Sequence, residues 1–331
     1  MTDVMKGRRK HVTALRAKDG SRVENDCPFE EIYASGGLSY RLVWNWAKLP
    51  PEIADYEIAG VCCGRDGCVY ASTRAPGYPI AVFSPEGEWL RYMGRETPAA
   101  SPHGIYVDGE DNVWLADREG HAAYQWDRNG RLRMTLGHPG RPSDTGINAT
   151  VKGTRLIFHT EKRMAGPFNQ PTRVVRAPNG DLYASDGYGN TAVHRFSPEG
   201  RLLQSWGGLG EEPGRFGIVH SLWADAWGRI LVADRELDRV QVFDGSGRLL
   251  KVLDGLLYPT DVAADDAFLY VAEREGRISI FNYDLELTAQ IGYWLSPILP
   301  HSMAVDPQGN LFLGQLWGNY SLVKLERQDR L

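Results

Sequence analysis

Three histidines stand in similar short motifs that are widely spaced along the chain. They are His103 in Pro-His-Gly, His220 in Val-His-Ser and His301 in Pro-His-Ser. An Asp-Arg pair follows the first two at the same spacing, as Asp117-Arg118 and as Asp234-Arg235. Three imidazoles typically hold a catalytic zinc ion and leave one position open for water or substrate. We therefore predict a metal site, with zinc favoured and iron, copper or nickel also acceptable to imidazole. The alternative is a hydrogen-bonded ring of histidines without a metal.

Arginines stand at one repeated position downstream of these motifs. Arg74, Arg118 and Arg235 occupy equivalent places in their segments. Because arginine is the usual bidentate partner of a carboxylate, Arg74 and Arg235 are candidate catalytic residues that face an anionic substrate. Arg118 has a second interpretation, a structural pair with Asp117.

Another segment departs from this pattern at the corresponding place and reads Ser-Asp-Gly-Tyr-Gly-Asn. Gly187 and Gly189 flank Tyr188 there. The two glycines free the backbone, so that Tyr188 can turn toward the histidines. A tyrosine beside a metal can act as a base, and Tyr188 is therefore the third candidate catalytic residue. The alternative is an aromatic side chain packed between strands.

The segments that carry these residues are copies of one repeat. Each copy reads as short strands of alternating polarity, separated by turns rich in Gly, Asp and Asn. Six copies are found, at residues 57–94, 102–137, 171–207, 219–250, 258–292 and 300–325. A period of about 40 residues with about four strands per unit indicates an all-β fold, a six-bladed β-propeller. The histidines lie in the second, fourth and sixth copies, so three alternate blades would direct them to one point on the central axis. The turn residues Asp108, Asp225 and Asp306 recur at one position and are predicted to be structural.

Both ends of the chain and one insertion complete the predicted architecture. Residues 1–35 are polar and predict an irregular N-terminal arm, followed by a propeller over residues 36–331. The last copy is one strand short, so a strand within residues 39–46 is expected to close the ring and to remove an exposed sheet edge. Residues 138–170 form a long insertion loop between the second and third copies of the repeat, and we expect this loop to border the site.

Composition restricts the partners. The net charge of −5 and the pI near 5.9 give no basic field for nucleic acid. The N-terminus lacks an apolar signal core, and no apolar run is long enough to cross a bilayer. The four cysteines form no Cys-x-x-Cys motif and read as buried thiols. We expect a cytoplasmic protein with a small-molecule substrate and no membrane partner, whereas the sequence leaves the oligomeric state open.

The motifs PHGIYVD, SDGYGN, VHSL, VADRELDRVQVF and PHSMAVD resemble the catalytic propeller of peptidyl-α-hydroxyglycine α-amidating lyases, an NHL-repeat fold. The similarity runs over roughly residues 55–325. It implies zinc bound by His103, His220 and His301, with Tyr188 as base and two arginines near the substrate, Arg74 and Arg235. The reaction it implies cleaves an N-acyl-α-hydroxyglycine into an amide and glyoxylate.

The chain departs from this family at two places. The resemblance implies a structural calcium held by the backbone carbonyls of Val61 and Ile105 and by an aspartate, but Ser302 stands at the aspartate position. A family cysteine corresponds to Gly189, so the resemblance implies no disulfide there. A neuropeptide-type substrate is not expected, and a small hydroxylated amide fits better.

Two further classes of function stay open at this stage. A metal-dependent hydrolase or hydratase acting on a small ester, lactone or amide would use the same residues. The carboxylate-rich calcium site typical of lactonase propellers is not found on the predicted inner strands. A non-enzymatic NHL interaction scaffold is the other alternative, although such a module has no need of three axial histidines.

Overall fold

The computed structural model describes residues 32–152, 155–292, 298–316 and 321–328. These residues form an all-β propeller of six blades, as the repeats predict. Within a blade, consecutive strands pair side by side and antiparallel. The first strand of each blade contacts the first strand of the next, and the first strand of blade six contacts that of blade one. The ring is therefore closed.

Blades one to five are four-stranded and follow the chain. Blade one comprises β3 (Ile58–Cys63), β4 (Val69–Thr73), β5 (Ile80–Phe83) and β6 (Trp89–Met93). Blade two comprises β7 (Pro102–Val107), β8 (Val113–Asp117), β9 (Ala122–Trp126) and β10 (Leu132–Gly137). Blade three comprises β13 (Pro171–Arg176), β14 (Leu182–Asp186), β15 (Ala192–Phe196) and β16 (Leu202–Gly207). Blade four comprises β17 (Val219–Ala224), β18 (Ile230–Asp234), β19 (Arg239–Phe243) and β20 (Leu249–Leu253). Blade five comprises β21 (Pro259–Ala264), β22 (Leu269–Glu273), β23 (Arg277–Phe281) and β24 (Leu287–Gly292).

Blade six combines strands from both ends of the chain. Its strands, from the axis outward, are β25 (Pro300–Val305), β26 (Leu311–Gln315), β27 (Leu322–Gln328), β2 (Leu38–Val43) and β1 (Ile32–Ser35). β2 pairs antiparallel with β27, with Leu42 opposite Leu325. The predicted closure by an N-terminal strand is therefore confirmed. The expected arm boundary at residue 35 is wrong, because β1 pairs with β2 as a hairpin and adds a fifth strand to the blade. The rest of the predicted arm, residues 1–31, lies outside the described residues.

Burial follows the position of a strand within its blade. Every residue of β18 is buried, because the neighbouring blades cover both of its faces. The outer strand β20 keeps exposed positions along its length. The core consequently lies between blades, as in the cluster that joins Leu231 and Val242 of blade four to Val262 and Val271 of blade five. This explains why β18 is almost wholly apolar, whereas β20 includes an exposed lysine. No helix in the described ranges is long and apolar enough to cross a membrane.

The recurring turn aspartates have the predicted structural role. In blade four, the Asp225 carboxylate accepts the backbone N–H groups of Trp227 and Arg229 at 3.0 and 2.8 Å. Asp108 and Asp306 accept equivalent pairs of N–H groups in blades two and six. These carboxylates satisfy the turn backbone between the first two strands of their blades.

A second set of buried polar groups anchors the segment that enters each innermost strand. Asp234, at the end of β18, accepts the N–H of Gly217 at 2.8 Å and the Arg239 guanidinium at 2.8 Å. Equivalent positions are held by Asp117, Asp186, Glu273 and Gln315, each of which accepts a backbone N–H just before its blade begins. Three of these blades carry a histidine as the second residue of the first strand, so the anchors also fix where those histidines start.

We expect Asp234→Ala to lower the free energy of unfolding by about 3–5 kcal/mol, because it removes one partner of a buried, hydrogen-bonded ion pair. Urea denaturation followed by tryptophan fluorescence measures this. The matched control is Asp254→Ala, at an exposed aspartate, which should change stability by no more than about 0.5 kcal/mol. Equal stability of the two variants would contradict an anchoring role.

Candidate metal centre and active site

The propeller brings the three predicted histidines together on its axis. His103, His220 and His301 are each the second residue of their strands, β7, β17 and β25. Their candidate ligand nitrogens all lie within 4.8 Å of one another, and all three side chains are buried. Their ring centroids are 4.9–5.1 Å apart. The predicted convergence of alternate blades is confirmed.

Each imidazole is oriented by a backbone carbonyl of the next blade around the ring. Nδ1 of His103 lies 2.9 Å from the carbonyl oxygen of Thr172, and Nδ1 of His220 lies 2.6 Å from that of Thr260. Nδ1 of His301 lies 2.7 Å from the carbonyl oxygen of Ala59. Because a carbonyl oxygen only accepts, each Nδ1 must carry the proton, which leaves the Nε2 lone pair for a ligand. This is the outer-shell arrangement that metal-binding histidines generally have.

The electrostatics favour neutral imidazoles, the form that binds a metal. Burial lowers the pKa of His103 well below its usual value, and the nearby His301, Arg74 and Arg118 lower it further. Burial also lowers the pKa of His220, assisted by Arg235 and the other two histidines. Nε2 of His103 is buried and has no hydrogen-bond partner within the described part of the chain. The donor set therefore fits a metal ion with three imidazole ligands.

Tyr188 lies against the histidines, as its two flanking glycines led us to expect. Its hydroxyl oxygen is 3.0 Å from Nε2 of His220, and Nη1 of Arg235 donates a hydrogen bond to it at 2.7 Å. The reason for the glycines differs from the expected one. Neither has a left-handed backbone; instead, a Cβ at Gly187 would overlap the Val219 carbonyl oxygen, and one at Gly189 would overlap the Asn169 side chain. Lack of space, and not backbone freedom, requires glycine at these positions.

Three arginines surround Tyr188. The guanidinium carbons of Arg118 and Arg235 lie 5.1 and 5.2 Å from the centroid of its ring. The Arg74 side chain is 12% exposed. Its guanidinium is close enough to the histidines to lower the pKa of His103 and His301. Burial lowers the pKa of Arg74 itself, with Arg118 adding to the effect. Both predicted arginines, Arg74 and Arg235, are therefore beside the tyrosine and the histidines.

Arg118 is a third site arginine that the sequence assigned ambiguously. It does not pair with Asp117, whose carboxylate accepts the N–H groups of Ala100 and Ser101 instead. Arg118 pairs with Glu119 at 2.7 Å and is itself buried. The structural Asp117–Arg118 pair is thus a wrong interpretation, because Asp117 is already used as a backbone anchor. The repeat register, which aligns Arg118 with Arg74 and Arg235, was the correct signal.

Each site arginine has its own acidic partner. Arg74 pairs with Glu57, and Arg235 pairs with Glu236 at 2.7 Å. Although burial lowers the pKa of Arg235, the neighbouring Tyr188, Tyr258 and Glu236 raise it above the usual value. Glu236 also accepts a hydrogen bond from the Tyr258 hydroxyl at 2.7 Å. Neither Glu236 nor Tyr258 was foreseen. The available signal for Glu236 was the Arg-Glu dipeptide, which recurs at one register as Arg118-Glu119 and Arg235-Glu236.

The insertion borders the site, as predicted, but it is not wholly a loop. It contains a hairpin of β11 (Asn148–Lys152) and β12 (Arg155–Thr160). Arg155 donates to the Glu236 carbonyl oxygen at 3.0 Å and lies 4.6 Å from the Tyr258 ring centroid. The hairpin therefore packs on the short 3₁₀ helix Arg235–Leu237, which carries Arg235.

The residues next to the histidines do not fit the calcium ion that the family resemblance implies. Ile105 and Ser302 line the same small axial cavity as the histidines, together with Arg173 and Asp261. Ser302 supplies no carboxylate, and the Asp261 carboxylate is paired with Arg173. Calcium takes six to eight oxygen ligands that normally include carboxylates. Calcium bound through Val61 and Ile105 is therefore not supported.

Comparisons with known proteins find relatives with NHL repeats. No family model matches the chain. It is 28% identical over 317 residues to NHL repeat-containing protein 3 of Mus musculus, covering 87% of this chain and 84% of that protein. It is 25% identical over 264 residues to a probable peptidyl-α-hydroxyglycine α-amidating lyase of Caenorhabditis elegans, covering 72% of this chain and 67% of that protein. A streptogramin B lyase structure superposes with a TM-score of 0.60 at 13% identity, over 87% of this chain and 98% of that one, which shows the fold alone.

The chain is thus a six-bladed β-propeller with a buried cluster of three histidines on its axis. It belongs to the NHL-repeat β-propeller family, in which its relatives include NHL repeat-containing protein 3 and the amidating lyases. Amidating monooxygenases are much longer proteins: the chain covers only 16% of the one from Rattus norvegicus.

We expect protein purified without a metal-affinity tag to contain about one transition-metal ion per chain, because three Nε2 lone pairs converge on one point. Elemental analysis measures the content. His220→Ala should lose the ion, whereas His138→Ala, a change at a histidine on the insertion, should retain it. A metal content of zero in the wild-type protein would leave the histidines as a packing motif.

Proposed function

We propose that the protein is a metal-dependent carbon–nitrogen lyase. Its substrate would be a small amide with a hydroxyl group and a carboxylate on the carbon that follows nitrogen, an N-acyl-α-hydroxyglycine. The observation that carries the proposal is the position of the Tyr188 oxygen, 3.0 Å from Nε2 of His220 and 2.7 Å from Nη1 of Arg235. A proton acceptor, a cation and the metal-ligand nitrogens then meet at one point. The similarity to amidating lyases supports the same reaction class.

The metal, held by His103, His220 and His301, would supply Lewis acidity toward the substrate hydroxyl. The residues of the chain would perform the proton transfer. Tyr188, in its phenolate form, takes the hydroxyl proton, and the hydrogen bond from Arg235 stabilises the negative charge on the phenolate oxygen. The electron pair of the broken O–H bond forms the new carbonyl group, and the C–N bond breaks. The nitrogen leaves with its electron pair and takes the proton from Tyr188, giving a primary amide and glyoxylate.

The substrate carboxylate would be held by Arg74 and Arg118. Each uses Nη atoms for its own glutamate, Glu57 or Glu119. Nε of both arginines is buried and has no hydrogen-bond partner in the described ranges. A buried N–H without an acceptor costs about 1–3 kcal/mol, which a bound carboxylate would recover. Arg235, already bonded to Tyr188 and Glu236, is better placed to support the base than to bind substrate.

Tyr188→Phe should reduce kcat by about 10²–10⁴-fold, the usual contribution of a positioned base. The assay follows glyoxylate release from N-acyl-α-hydroxyglycines, with the primary amide identified by mass spectrometry. The control is Tyr92→Phe, a tyrosine whose hydroxyl bonds Glu52 on the outer part of blade one. A fully active Tyr188→Phe would refute the proposal. Release of a carboxylic acid in place of the amide would indicate the alternative hydrolase chemistry.

Substitutions of Arg74 and Arg235 should affect substrate binding and catalysis differently. We expect Arg74→Met to raise KM by roughly 10–100-fold, since a hydrogen bond to a charged group contributes about 1.5–3 kcal/mol. Arg235→Met should lower kcat by about 10²–10³-fold with a smaller change in KM, because it removes the cation next to the base. Steady-state kinetics on the same substrate measures both constants. An identical pattern for the two variants would contradict the division of roles.

A further inference from the structure

A buried ion pair lies on the propeller axis beside the histidines and is not used by the proposed reaction. It joins Arg173 of β13 to Asp261 of β21, and both side chains are only 2% exposed. The Arg173 guanidinium also lies 5.4 Å from the Trp223 ring centroid. Both residues line the small axial cavity that the three histidines line. The pair therefore shares the interior of the channel with the candidate metal centre.

The Asp261 carboxylate accepts four hydrogen bonds. Its Oδ1 accepts from Arg173, from the Ser221 hydroxyl at 2.7 Å and from the Val262 N–H at 2.8 Å. Its Oδ2 accepts from the Met303 N–H at 2.9 Å. The negative charge of the carboxylate is therefore balanced within the protein by a guanidinium and three further donors, without a metal ion.

The pair lies next to two of the three carbonyls that orient a histidine. Arg173 directly follows Thr172, whose carbonyl accepts from His103. Asp261 directly follows Thr260, whose carbonyl accepts from His220. Asp261 also accepts from Ser221, which follows His220, and from Met303, two residues after His301. One ion pair thus ties together four innermost strands, β13, β17, β21 and β25, at the level of the histidines.

We propose that the Arg173–Asp261 ion pair positions the three histidines, in the role that a structural cation would otherwise have on this axis. The guanidinium supplies a permanent positive charge that the fold itself carries. The carboxylate of Asp261 pairs with this charge and accepts hydrogen bonds from the neighbouring strands, which fixes the distances between those strands. The pair therefore replaces calcium in this chain, which has Ser302 at the position where the calcium-binding aspartate is expected. Arg173 and Asp261 are positioning residues, and the inference rests on the proposed metal centre.

The first test uses wild-type protein. Elemental analysis should find no stoichiometric calcium, and neither EGTA nor millimolar calcium should shift the thermal midpoint by more than about 1 °C. EGTA is chosen over EDTA because it binds calcium in preference to zinc. Stoichiometric calcium, or a midpoint that rises by several degrees with added calcium, would overturn the inference without touching the proposed lyase activity.

The second test reads the histidine geometry directly. Metal-free protein is titrated with Co²⁺, and the visible absorption spectrum reports the ligand arrangement. Changing an outer-shell partner of metal-bound histidines typically weakens metal binding 10–100-fold, so Arg173→Met should raise the Co²⁺ dissociation constant by that factor and alter the spectrum. Arg173→Lys, which keeps the charge, should lie closer to wild type. The matched control is Arg195→Met, which breaks an ion pair between β15 and Asp181 in the turn between the first two strands of blade three.

The outcomes separate the possible failures. If the Arg195→Met control weakens Co²⁺ binding as much as Arg173→Met, the effect is general destabilisation and the positioning role is refuted. A wild-type spectrum and affinity in Arg173→Met would refute it equally. If wild-type protein binds no Co²⁺, the metal centre itself is refuted, and this inference falls with it. If Arg173→Met does not fold, the Co²⁺ affinity of Arg173→Lys and the calcium measurements on wild-type protein still test the inference.

Discussion

The site depends on one interaction repeated three times, the hydrogen bond from an imidazole Nδ1–H to a carbonyl of the following blade. Each bond crosses a blade boundary, so the histidines acquire their orientation only when the blades are packed. The bond from His301 to Ala59 crosses from the last blade to the first. His301 belongs to blade six, and the pairing of β2 with β27 completes the sheet of that blade. Ring closure and site assembly are therefore one structural event.

The three histidines share the channel with two groups of charged side chains. Tyr188 and its arginines form one group, and the Arg173–Asp261 pair, which lines the same axial cavity as the histidines, forms the other. Buried charges are expensive unless they are paired and hydrogen-bonded. Both groups meet this condition with internal ion pairs, which leaves the histidines neutral. The neutral imidazoles consequently offer lone pairs in a setting where the cationic neighbours oppose their protonation.

The sequence predicted the parts of the site that follow from repeat register. His103, His220 and His301 share a register position, and so do Arg74, Arg118 and Arg235, which is why their convergence could be inferred. Register cannot reveal partners that differ from blade to blade. Tyr258, Arg173 and Asp261 have no counterparts at the same register in the other copies, and their importance depends on contacts between strands far apart in sequence. The hairpin within residues 138–170 was likewise hidden, because an isolated pair of exposed strands carries no buried face to impose alternation.

The family contains both enzymes and proteins named only for their repeats, so the fold alone does not decide the function of this chain. The energetics of the channel are more informative. Nε2 of His103 is buried without a hydrogen-bond partner in the described part of the chain, as are the Nε atoms of Arg74 and Arg118. Each such group costs about 1–3 kcal/mol in the folded protein. An interaction scaffold that binds partners on its outer face would gain nothing from these costs, and apolar side chains would fill the channel better. These unsatisfied groups next to a hydrogen-bonded tyrosine support the proposal that the channel binds a metal and an anionic ligand.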